Sequence, residues 1–419
     1  MPPTIYKRVF EFLILLFLSK VRLILKGQYN ICYKSIPLQK KIGMRSLLFC
    51  SFFSLLVISC QKKEVSVVDR EKIVNSVTYA SGLSIEKFST YSVVKVANPW
   101  PNATAVYTYI LYQKGAKIPS QLENFPAIQV PIKSIVVTST THIPALELLG
   151  VETTLKGFPN TNYVSSEKTR ALIDQNKVRE IGNNQNLNTE VLLEMQPDVL
   201  IGFGVDGEQN TYQQLQKNGL NIIYNGDWTE QNPLGRAEWI KLFGVLYGLE
   251  EKADVIFKSI EKNYVEAQKL AQKAKVKPTV LCGAIYQDQW FLPQGNSWAA
   301  LFIKEANGQY LWSETEGMGS LALSFETVLD KAQNADFWIG PGQFTTFDEL
   351  LKSNPNYAFF KPVQTKKVYS YSAKKGKTGG VIYYELAFSR PDLVLKDMIK
   401  IIHPELMSDY ELFFLEQLK

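Results

Sequence analysis

The sequence feature that most constrains the fold is one long stretch with helical spacing between two sections of alternating strands and helices. Residues 249–275 place Ala253, Phe257 and Ile260 three or four positions apart, and the stretch contains no Pro or Gly. A helix of this span would be roughly 40 Å long at 1.5 Å per residue. Because few helices inside a domain are that long, we expect it to join two separate lobes.

Both flanking sections contain short apolar strands that alternate with helices, which is the pattern of a parallel sheet. Before the long helix, the pattern predicts strands at 134–137, 199–201 and 221–224 and helices at 143–149, 190–195, 211–218 and 233–247. After it, the pattern predicts strands at 279–282, 337–339 and 367–369 and helices at 297–306, 325–331 and 390–402. The predicted fold class is therefore α/β, with two Rossmann-like lobes joined by one long rigid helix.

A different pattern precedes the first lobe. Two segments with the alternation of strands lie on either side of the turn cluster at 98–102, which predicts a β-hairpin or a small meander as an elaboration. The predicted organisation is a leader (1–59), a tether (60–77), the hairpin elaboration (78–120), an N-terminal lobe (121–248), the linking helix (249–275) and a C-terminal lobe (276–419).

The leader carries a signal for export. Residues 44–59 begin with a basic residue after Met44, continue as an apolar run and end at Ser59, directly before Cys60. A membrane span needs roughly 20 residues, so this run is typical of a secretory signal. Residues 56–60 resemble the lipobox of bacterial lipoproteins, which implies that Cys60 is lipidated and that the mature protein is anchored to a membrane of the cell envelope. The alternative is a transmembrane anchor with a chance cysteine.

Charge separates the leader from the rest of the chain. We interpret Met44 as the start of the translated chain. The alternative is that the upstream residues are translated and that the apolar segment at 9–25 is a transmembrane helix. Residues 1–59 hold nine of the 46 basic residues and one of the 40 acidic residues, so residues 60–419 carry a net charge of −2. The basic character belongs to the leader and gives no support for nucleic-acid binding.

Cysteine and histidine are scarce. Two of the four cysteines lie in the leader, and Cys60 is the predicted lipidation site, so Cys282 has no partner for an internal disulfide. Its apolar surroundings predict a small buried residue. With only His142 and His403 in the chain, a transition-metal site built from several histidines is excluded.

Three stretches identify a family resemblance. They are STTHIPALELLG at 139–150, NTE at 188–190 followed by QPDVLI at 196–201, and FETVL at 325–329 followed by ADFWI at 335–339. In this order, over residues 131–405, they resemble the substrate-binding proteins of ABC importers for ferric siderophores, haem and cobalamin. Gln196 stands where that family usually has Lys. The resemblance implies a monomer without a cofactor that captures a metal chelate between its lobes and delivers it to the importer's permease and ATPase.

The resemblance also implies a docking role for Glu190 and Glu326. In the family, one exposed glutamate per lobe at these positions meets arginines on the two permease subunits. The structural alternative is that each carboxylate complements the dipole of the helix it begins, for about 0.3–1 kcal/mol.

The ligand site is expected beyond the carboxyl ends of the strands, where open α/β sheets bind ligands. The loops there are rich in aromatic side chains, which can bury a flat or macrocyclic ligand. We expect Trp228 and Trp290 to face each other across the lobes, whereas packing in the core is the alternative for each aromatic. No Arg occurs in these loops, which favours cobalamin or a neutral chelate over an acidic siderophore. The candidate ligand-binding residues are His142, Phe158, Phe203, Trp228, Tyr286, Trp290, Trp298, Gln343 and Tyr371.

Two other classes of function stay open. One is a lipid-anchored enzyme on a chelatase-like two-lobe fold, and the other is a surface binding protein without a transport role. The chain lacks a Gly-x-Ser-x-Gly elbow, a phosphate-binding loop, a His-Glu-x-x-His motif and paired cysteines. The sequence therefore predicts no catalytic residue and no protein metal site.

Overall fold

The computed structural model describes residues 75–204 and 209–419. The predicted leader, Cys60 and most of the predicted tether lie outside the described residues. The strands are β1 (Leu83–Lys87), β2 (Tyr91–Ala97), β3 (Val106–Gln113), β4 (Ala127–Val130), β5 (Ile135–Val137), β6 (Leu155–Phe158), β7 (Arg179–Glu180), β8 (Gly182–Asn183), β9 (Asn186–Leu187), β10 (Val199–Phe203), β11 (Ile222–Asn225), β12 (Thr279–Cys282), β13 (Ala284–Tyr286), β14 (Gln289–Pro293), β15 (Gln309–Tyr310), β16 (Ser320–Leu323), β17 (Phe337–Ile339), β18 (Val368–Ser370) and β19 (Glu416–Gln417).

The helices pack around these strands, and within the described ranges none of them combines the length and hydropathy that crossing a bilayer requires. They are α1 (Ile143–Leu149), α2 (Glu167–Asp174), α3 (Thr189–Met195), α4 (Gln209–Lys217), α5 (Pro233–Glu238), α6 (Ile240–Tyr247), α7 (Glu250–Ala271), α8 (Trp298–Glu305), α9 (Phe325–Ala332), α10 (Phe347–Ser353), α11 (Lys361–Gln364), α12 (Ile382–Leu386) and α13 (Pro391–Ile402).

The first lobe contains a parallel sheet in the order β11-β10-β5-β6-β7. The order reverses between β5 and β10, which is the position where α/β sheets open a ligand crevice. All three residues of β5 are buried, as expected for a central strand covered on both faces. A short 3₁₀ turn leads from β5 into α1, and Ser139 caps this turn by accepting the Thr141 N–H at 3.3 Å.

The second lobe repeats this plan in the order β15-β12-β17-β18-β19, in which the first four strands are parallel and β19 is antiparallel. An additional antiparallel sheet, in the order β13-β14-β16, follows β12. The sequence pattern did not predict this inserted sheet. Its strands begin directly after the carboxyl end of β12, so it lies at the ligand-facing edge of the lobe.

The linking helix α7 is 22 residues long, or roughly 33 Å, and is shorter than predicted. It ends at Ala271 because the backbone tightens to i→i−3 hydrogen bonds, with Lys273 N–H donating to Leu270 and Ala274 N–H to Ala271. Its buried side packs against α6 and α13. The helix predicted at 233–247 is likewise divided into α5 and α6, because Trp239 N–H bonds to Arg236 three residues back.

The N-terminal elaboration is a four-stranded sheet, which consists of a three-stranded meander and one further strand. β1, β2 and β3 are antiparallel, and β4 adds in parallel beside β3, so the sheet extends to Val130. Two buried glutamates attach its start to the first lobe. Glu238 accepts the backbone N–H groups of Thr78, Tyr79 and Ala80 at 2.6–3.0 Å, and Glu230 accepts those of Ser81 and Gly82 at 2.9 and 2.8 Å. The lobe limits at 121, 249 and 276 stay a prediction.

Candidate ligand site between the lobes

A cavity of about 400 Å³ lies where the carboxyl ends of the strands of both lobes approach each other. Its volume is in the range of sites for drug-sized ligands. Loops that follow β5 and β6 supply one wall, and loops that follow β17 and β18 supply the other. The lining residues are Thr138, Ser139, Thr140, Phe158, Pro159, Asn160, Tyr163, Asn184, Gln343, Gly379, Gly380, Val381 and Tyr384.

A larger cavity, of about 640 Å³, lies at the amino ends of the second-lobe strands. Its lining includes Lys277, Lys367 and Lys400. Because α/β sheets bind ligands at the opposite ends of their strands, we take the interlobe cavity as the candidate site.

The interlobe cavity is lined by hydroxyl, amide and aromatic groups, and none of its described lining residues carries a charge. The neighbouring carboxylate of Glu180 is already hydrogen-bonded within the protein, since it accepts the backbone N–H groups of Asn160 and Thr161 at 2.8 and 2.9 Å. A neighbouring ammonium is also paired, because Lys377 lies 3.0 Å from Asp174. The site can therefore offer hydrogen bonds and aromatic faces, but it offers no counter-charge to an ionic ligand.

A loop of the second lobe, residues 374–381, crosses to the first lobe at the rim of the cavity, and we call it the bridging loop. Thr378 Oγ1 donates to the Asn162 carbonyl at 2.8 Å. Two glycines permit the close approach. A Cβ at Gly376 would lie 2.6 Å from the Ser165 Cα, and one at Gly380 would lie 2.2 Å from the Tyr163 carbonyl oxygen. Any larger residue at these positions would force the two lobes apart.

A buried carboxylate makes a second connection between the lobes. Glu385 on α12 accepts the backbone N–H groups of Ser165 and Ser166 at 2.6 and 3.0 Å, at the start of α2 in the first lobe. Burial raises the pKa of Glu385 to about 7, against the lowering effect of these hydrogen bonds, and the nearby Glu147 carboxylate raises it further. The Glu385 carboxyl group is therefore partly protonated near neutral pH.

Glu385 should make the stability of the protein fall as pH rises. The unfolded chain loses the Glu385 proton near the ordinary value of 4.5, whereas the folded protein keeps it until about pH 7. The contribution of this proton to the free energy of unfolding is complete at low pH and is lost by about pH 8. Its size is up to about 3 kcal/mol. In Glu385→Gln, the free energy of unfolding measured by denaturant titration should decline less between pH 5 and 8.

Asp227 acts in the same direction, because burial raises its pKa to about 6. It is unchanged in Glu385→Gln, so the difference between the two proteins isolates Glu385. Equal pH slopes in the wild type and the variant would contradict the assignment.

The centre of the lobe junction is filled by protein. The guanidinium of Arg236 lies 4.0 Å from the ring centre of Trp298 and 4.2 Å from that of Phe388. The indole N–H of Trp298 donates to the Tyr383 hydroxyl at 3.1 Å, and Tyr383 stacks on Tyr371 with ring centres 4.8 Å apart. Trp298 and Tyr371 were both predicted to bind the ligand. They are instead part of this packed junction and do not line the cavity.

Two of the predicted residues, Phe158 and Gln343, line the cavity from opposite lobes. Phe158 is almost fully buried, so it contributes a ring at the cavity floor, whereas Gln343 is exposed. Their roles in ligand binding stay a prediction.

His142 is completely buried beneath α12 and does not line the cavity. Neither ring nitrogen has a hydrogen-bond partner within the described part of the chain, and burial lowers its pKa to about 3. Its ring instead lies 6.2 Å from Phe243 of α6. Phe203 and Trp228 are half-buried and contact each other at 5.6 Å, also outside the cavity lining.

The expected pair of Trp228 and Trp290 across the cleft is wrong for Trp290. Its side chain has no exposed surface, donates its N–H to the Cys282 carbonyl at 3.0 Å and packs 5.1 Å from Trp338. Alternation along β14 explains the error, since Trp290 points to the core and the next residue, Phe291, points outward. Tyr286 is exposed on the outer side but lies outside the cavity lining.

Tyr163 and Tyr384 were missed by the sequence analysis. Both are exposed aromatic residues, and they line the cavity from the first and second lobes respectively. The available signal was the pair of glycines just before Tyr384, Gly379 and Gly380, because paired glycines mark a close backbone approach.

The described residues provide little for direct metal binding, since no group of three or more His, Cys, Asp or Glu among them is arranged to hold an ion. Cys282 is free and buried, as the sequence predicted, and burial raises the pKa of its thiol to about 12. A reactive thiolate is therefore disfavoured at this position.

Glu190 and Glu326 occupy equivalent places in the two lobes. Each is exposed and is the second residue of its helix, α3 or α9. The residue before each helix caps it, with Asn188 accepting the Val191 N–H at 3.1 Å and Ser324 accepting the Thr327 N–H at 3.2 Å. Neither glutamate forms a salt bridge within the described residues, so both carboxylates are available to a partner.

A profile described as periplasmic binding protein matches residues 135–374, which is more than half of the chain. The chain therefore belongs to the periplasmic binding protein family, whose members are solute-binding proteins rather than enzymes. This family assignment removes the chelatase-like enzyme as an alternative.

Relatives in sequence include two uncharacterized lipoproteins of Methanocaldococcus jannaschii. One is 28% identical over 313 residues, covering 71% of this chain and 72% of that protein. The other is 28% identical over 312 residues, covering 72% of this chain and 77% of that protein.

Solved structures share the fold. The periplasmic haem-binding protein HutB of Vibrio cholerae has a TM-score of 0.52 at 17% identity, covering 65% of this chain and all 100% of HutB. A possible iron-binding periplasmic solute-binding protein of Staphylococcus epidermidis has a TM-score of 0.51 at 15% identity, covering 65% and 99%. At these identities the likeness concerns the fold, and it confirms the predicted two-lobe α/β architecture.

Proposed function

We propose that the chain is a lipid-anchored substrate-binding protein that captures a metal chelate between its lobes and delivers it to the permease and ATPase of an ABC importer. The observation that carries the proposal is the interlobe cavity at the carboxyl ends of both sheets, within a chain of the periplasmic binding protein family. The family and its lipoprotein relatives support a location outside the cytoplasm.

The cavity favours an uncharged chelate. Of the three candidate classes, cobalamin is the largest, and a space of about 400 Å³ would leave much of it outside. Haem carries two carboxylates, for which the described lining offers no positive partner. A neutral ferric siderophore is smaller than cobalamin and, unlike haem, matches the uncharged lining. Two structural neighbours, a haem-binding protein and a possible iron-binding protein, are compatible with this class of ligand.

Replacing both cavity tyrosines should weaken ligand binding. Contact with an aromatic ring contributes about 1 kcal/mol, so Tyr163→Ala with Tyr384→Ala should lower the affinity for a bound chelate about tenfold or more. The probes are ferrichrome as a neutral ferric siderophore, haemin and cyanocobalamin, measured by calorimetry and by the absorption spectrum of what stays bound. Phe359→Ala removes an exposed aromatic outside the cavity lining and serves as the matched control. Unchanged affinity in the double variant would remove the tyrosines from the site.

Docking to the importer should require Glu190 and Glu326. Losing one half of an interfacial ion pair costs about 2–5 kcal/mol, so Glu190→Ala with Glu326→Ala should abolish stimulation of ATP hydrolysis and uptake. Ligand affinity and melting temperature should stay near those of the wild type. Glu167→Ala provides the control, because Glu167 is also an exposed glutamate in the first turn of a capped helix.

Full uptake by the double glutamate variant would leave these residues with a role in helix stability alone. A surface binding protein without a transport role would bind the chelate but would not stimulate any importer, so the same measurement separates that alternative.

Anchoring should depend on Cys60. Cys60→Ala removes the thiol that would carry the lipid, so the protein should lose acylation and be released from membranes into the soluble fraction. Cys50→Ala, within the apolar leader, should keep both properties. Membrane retention with unchanged acylation in Cys60→Ala would favour the transmembrane anchor.

A further inference from the structure

The inserted sheet of the second lobe has one buried and one exposed aromatic face. Trp290 and Leu292 of β14 point to the core, while Tyr286 of β13 and Phe291 of β14 point outward. Tyr286 and Phe291 are 65% and 39% exposed, and their ring centres lie 6.3 Å apart. Exposing large apolar side chains to water is unfavourable, and a patch of such side chains at the surface is typical of an interaction site.

A short chain segment joins this exposed face to Glu326. Phe291 lies opposite Ala322 of β16, which is also exposed. β16 ends at Leu323, and after the capping residue Ser324 the chain enters α9, whose second residue is Glu326. The unpaired carboxylate of Glu326 is therefore four residues along the chain from Ala322, which lies opposite Phe291.

A third apolar side chain adjoins the same strand. Met318 is 50% exposed and lies two residues before β16 begins. We call Tyr286, Phe291, Met318 and Ala322 the aromatic face. Tyr, Phe and Met are enriched in protein–protein interfaces, whereas a charged residue is usually found at their rim. The aromatic face, with the charged Glu326 four residues along the chain from Ala322, has this composition.

The first lobe does not repeat the arrangement. Glu190 follows the β8–β9 ribbon, whose exposed residues include Asn183, Gln185 and Asn186. The two glutamates are matched in geometry, but an amide surface flanks one and an apolar surface flanks the other. A partner that contacts both would meet two chemically different surroundings.

We propose that the aromatic face is part of the surface that docks on the importer permease, beside the ion pair formed by Glu326. The partner surface would be an apolar patch next to a basic residue. The inference rests on the proposed importer function and extends it, because it gives the second lobe a larger share of the docking surface than the first.

A ligand platform is the competing use of the same face. None of the residues of the aromatic face lines the interlobe cavity. The face is joined to Glu326 through consecutive residues of one chain segment, which is why we assign it to the permease.

The test uses the full-length protein with its permease and ATPase in proteoliposomes. ATP hydrolysis is measured against the concentration of the binding protein, with ferrichrome, haemin or cyanocobalamin as the loaded probe. Tyr286→Ser with Phe291→Ser should raise the concentration for half-maximal stimulation about tenfold or more, as expected for central aromatic residues of an interface. Affinity for the probe and melting temperature should change little. Val255→Ser removes a 68% exposed apolar residue from the linking helix and should have no effect.

Unchanged stimulation by the double variant, in an assay where Glu190→Ala with Glu326→Ala abolishes it, would overturn this inference and leave the proposed function intact. Lower probe affinity with normal stimulation at saturating probe would assign the face to the ligand. If the wild-type protein stimulates no importer, the proposed function fails and the inference fails with it. Should the double variant unfold, Tyr286→Ser alone provides the test, because Tyr286 is the more exposed of the two.

Discussion

The relation between the two lobes depends on one buried cation, the guanidinium of Arg236. It comes from the first lobe, lies between Trp298 and Phe388 of the second lobe, and donates to the carbonyls of Glu230 and Trp228 at 2.8 and 3.1 Å. Burial lowers its pKa to about 10, so it remains a cation at neutral pH. A desolvated cation over aromatic rings can contribute about 2 kcal/mol. Because its hydrogen-bond partners and its rings belong to different lobes, the same contact fixes the lobes to each other.

This junction determines where a ligand can bind. Arg236 and its rings occupy the centre, so the open space lies to one side, between that centre and the bridging loop. The bridging loop and Glu385 connect the lobes a second time at the start of α2. The charged groups around the cavity are used by these connections or by pairs such as Lys377 with Asp174. An uncharged lining is therefore a consequence of how the lobes are held together, and it restricts the chemistry of the ligand.

The sequence was sufficient for the two lobes and the helix between them, because periodicity reports local structure, but it did not predict the inserted sheet β13-β14-β16. The apolar strands around β5, β10 and β12 and the long helix α7 were all predicted within a few residues. The site was less accessible. Trp290 and Phe291 are neighbours in an apolar segment, and only pairing with β13 and β16 decides which of them faces the core. The close approach of Gly380 to Tyr163 joins residues far apart in sequence, and the paired glycines indicate a close approach without indicating which residue is approached. His142 was misassigned for the same reason, since α12 covers it from the other lobe.

The N-terminal sheet belongs to the first lobe in a physical sense. β11 is the edge strand of the first-lobe sheet, and an open edge invites pairing with other chains. Here the Tyr109 hydroxyl of β3 accepts the Tyr224 N–H of β11 at 3.1 Å, which satisfies a donor of that edge. Trp100, in the turn between β2 and β3, packs against Gly204 so closely that a Cβ there would lie 2.7 Å from its ring. Gly204 follows β10, so the sheet both protects the edge of the lobe and supports the strand ends that lead to the junction.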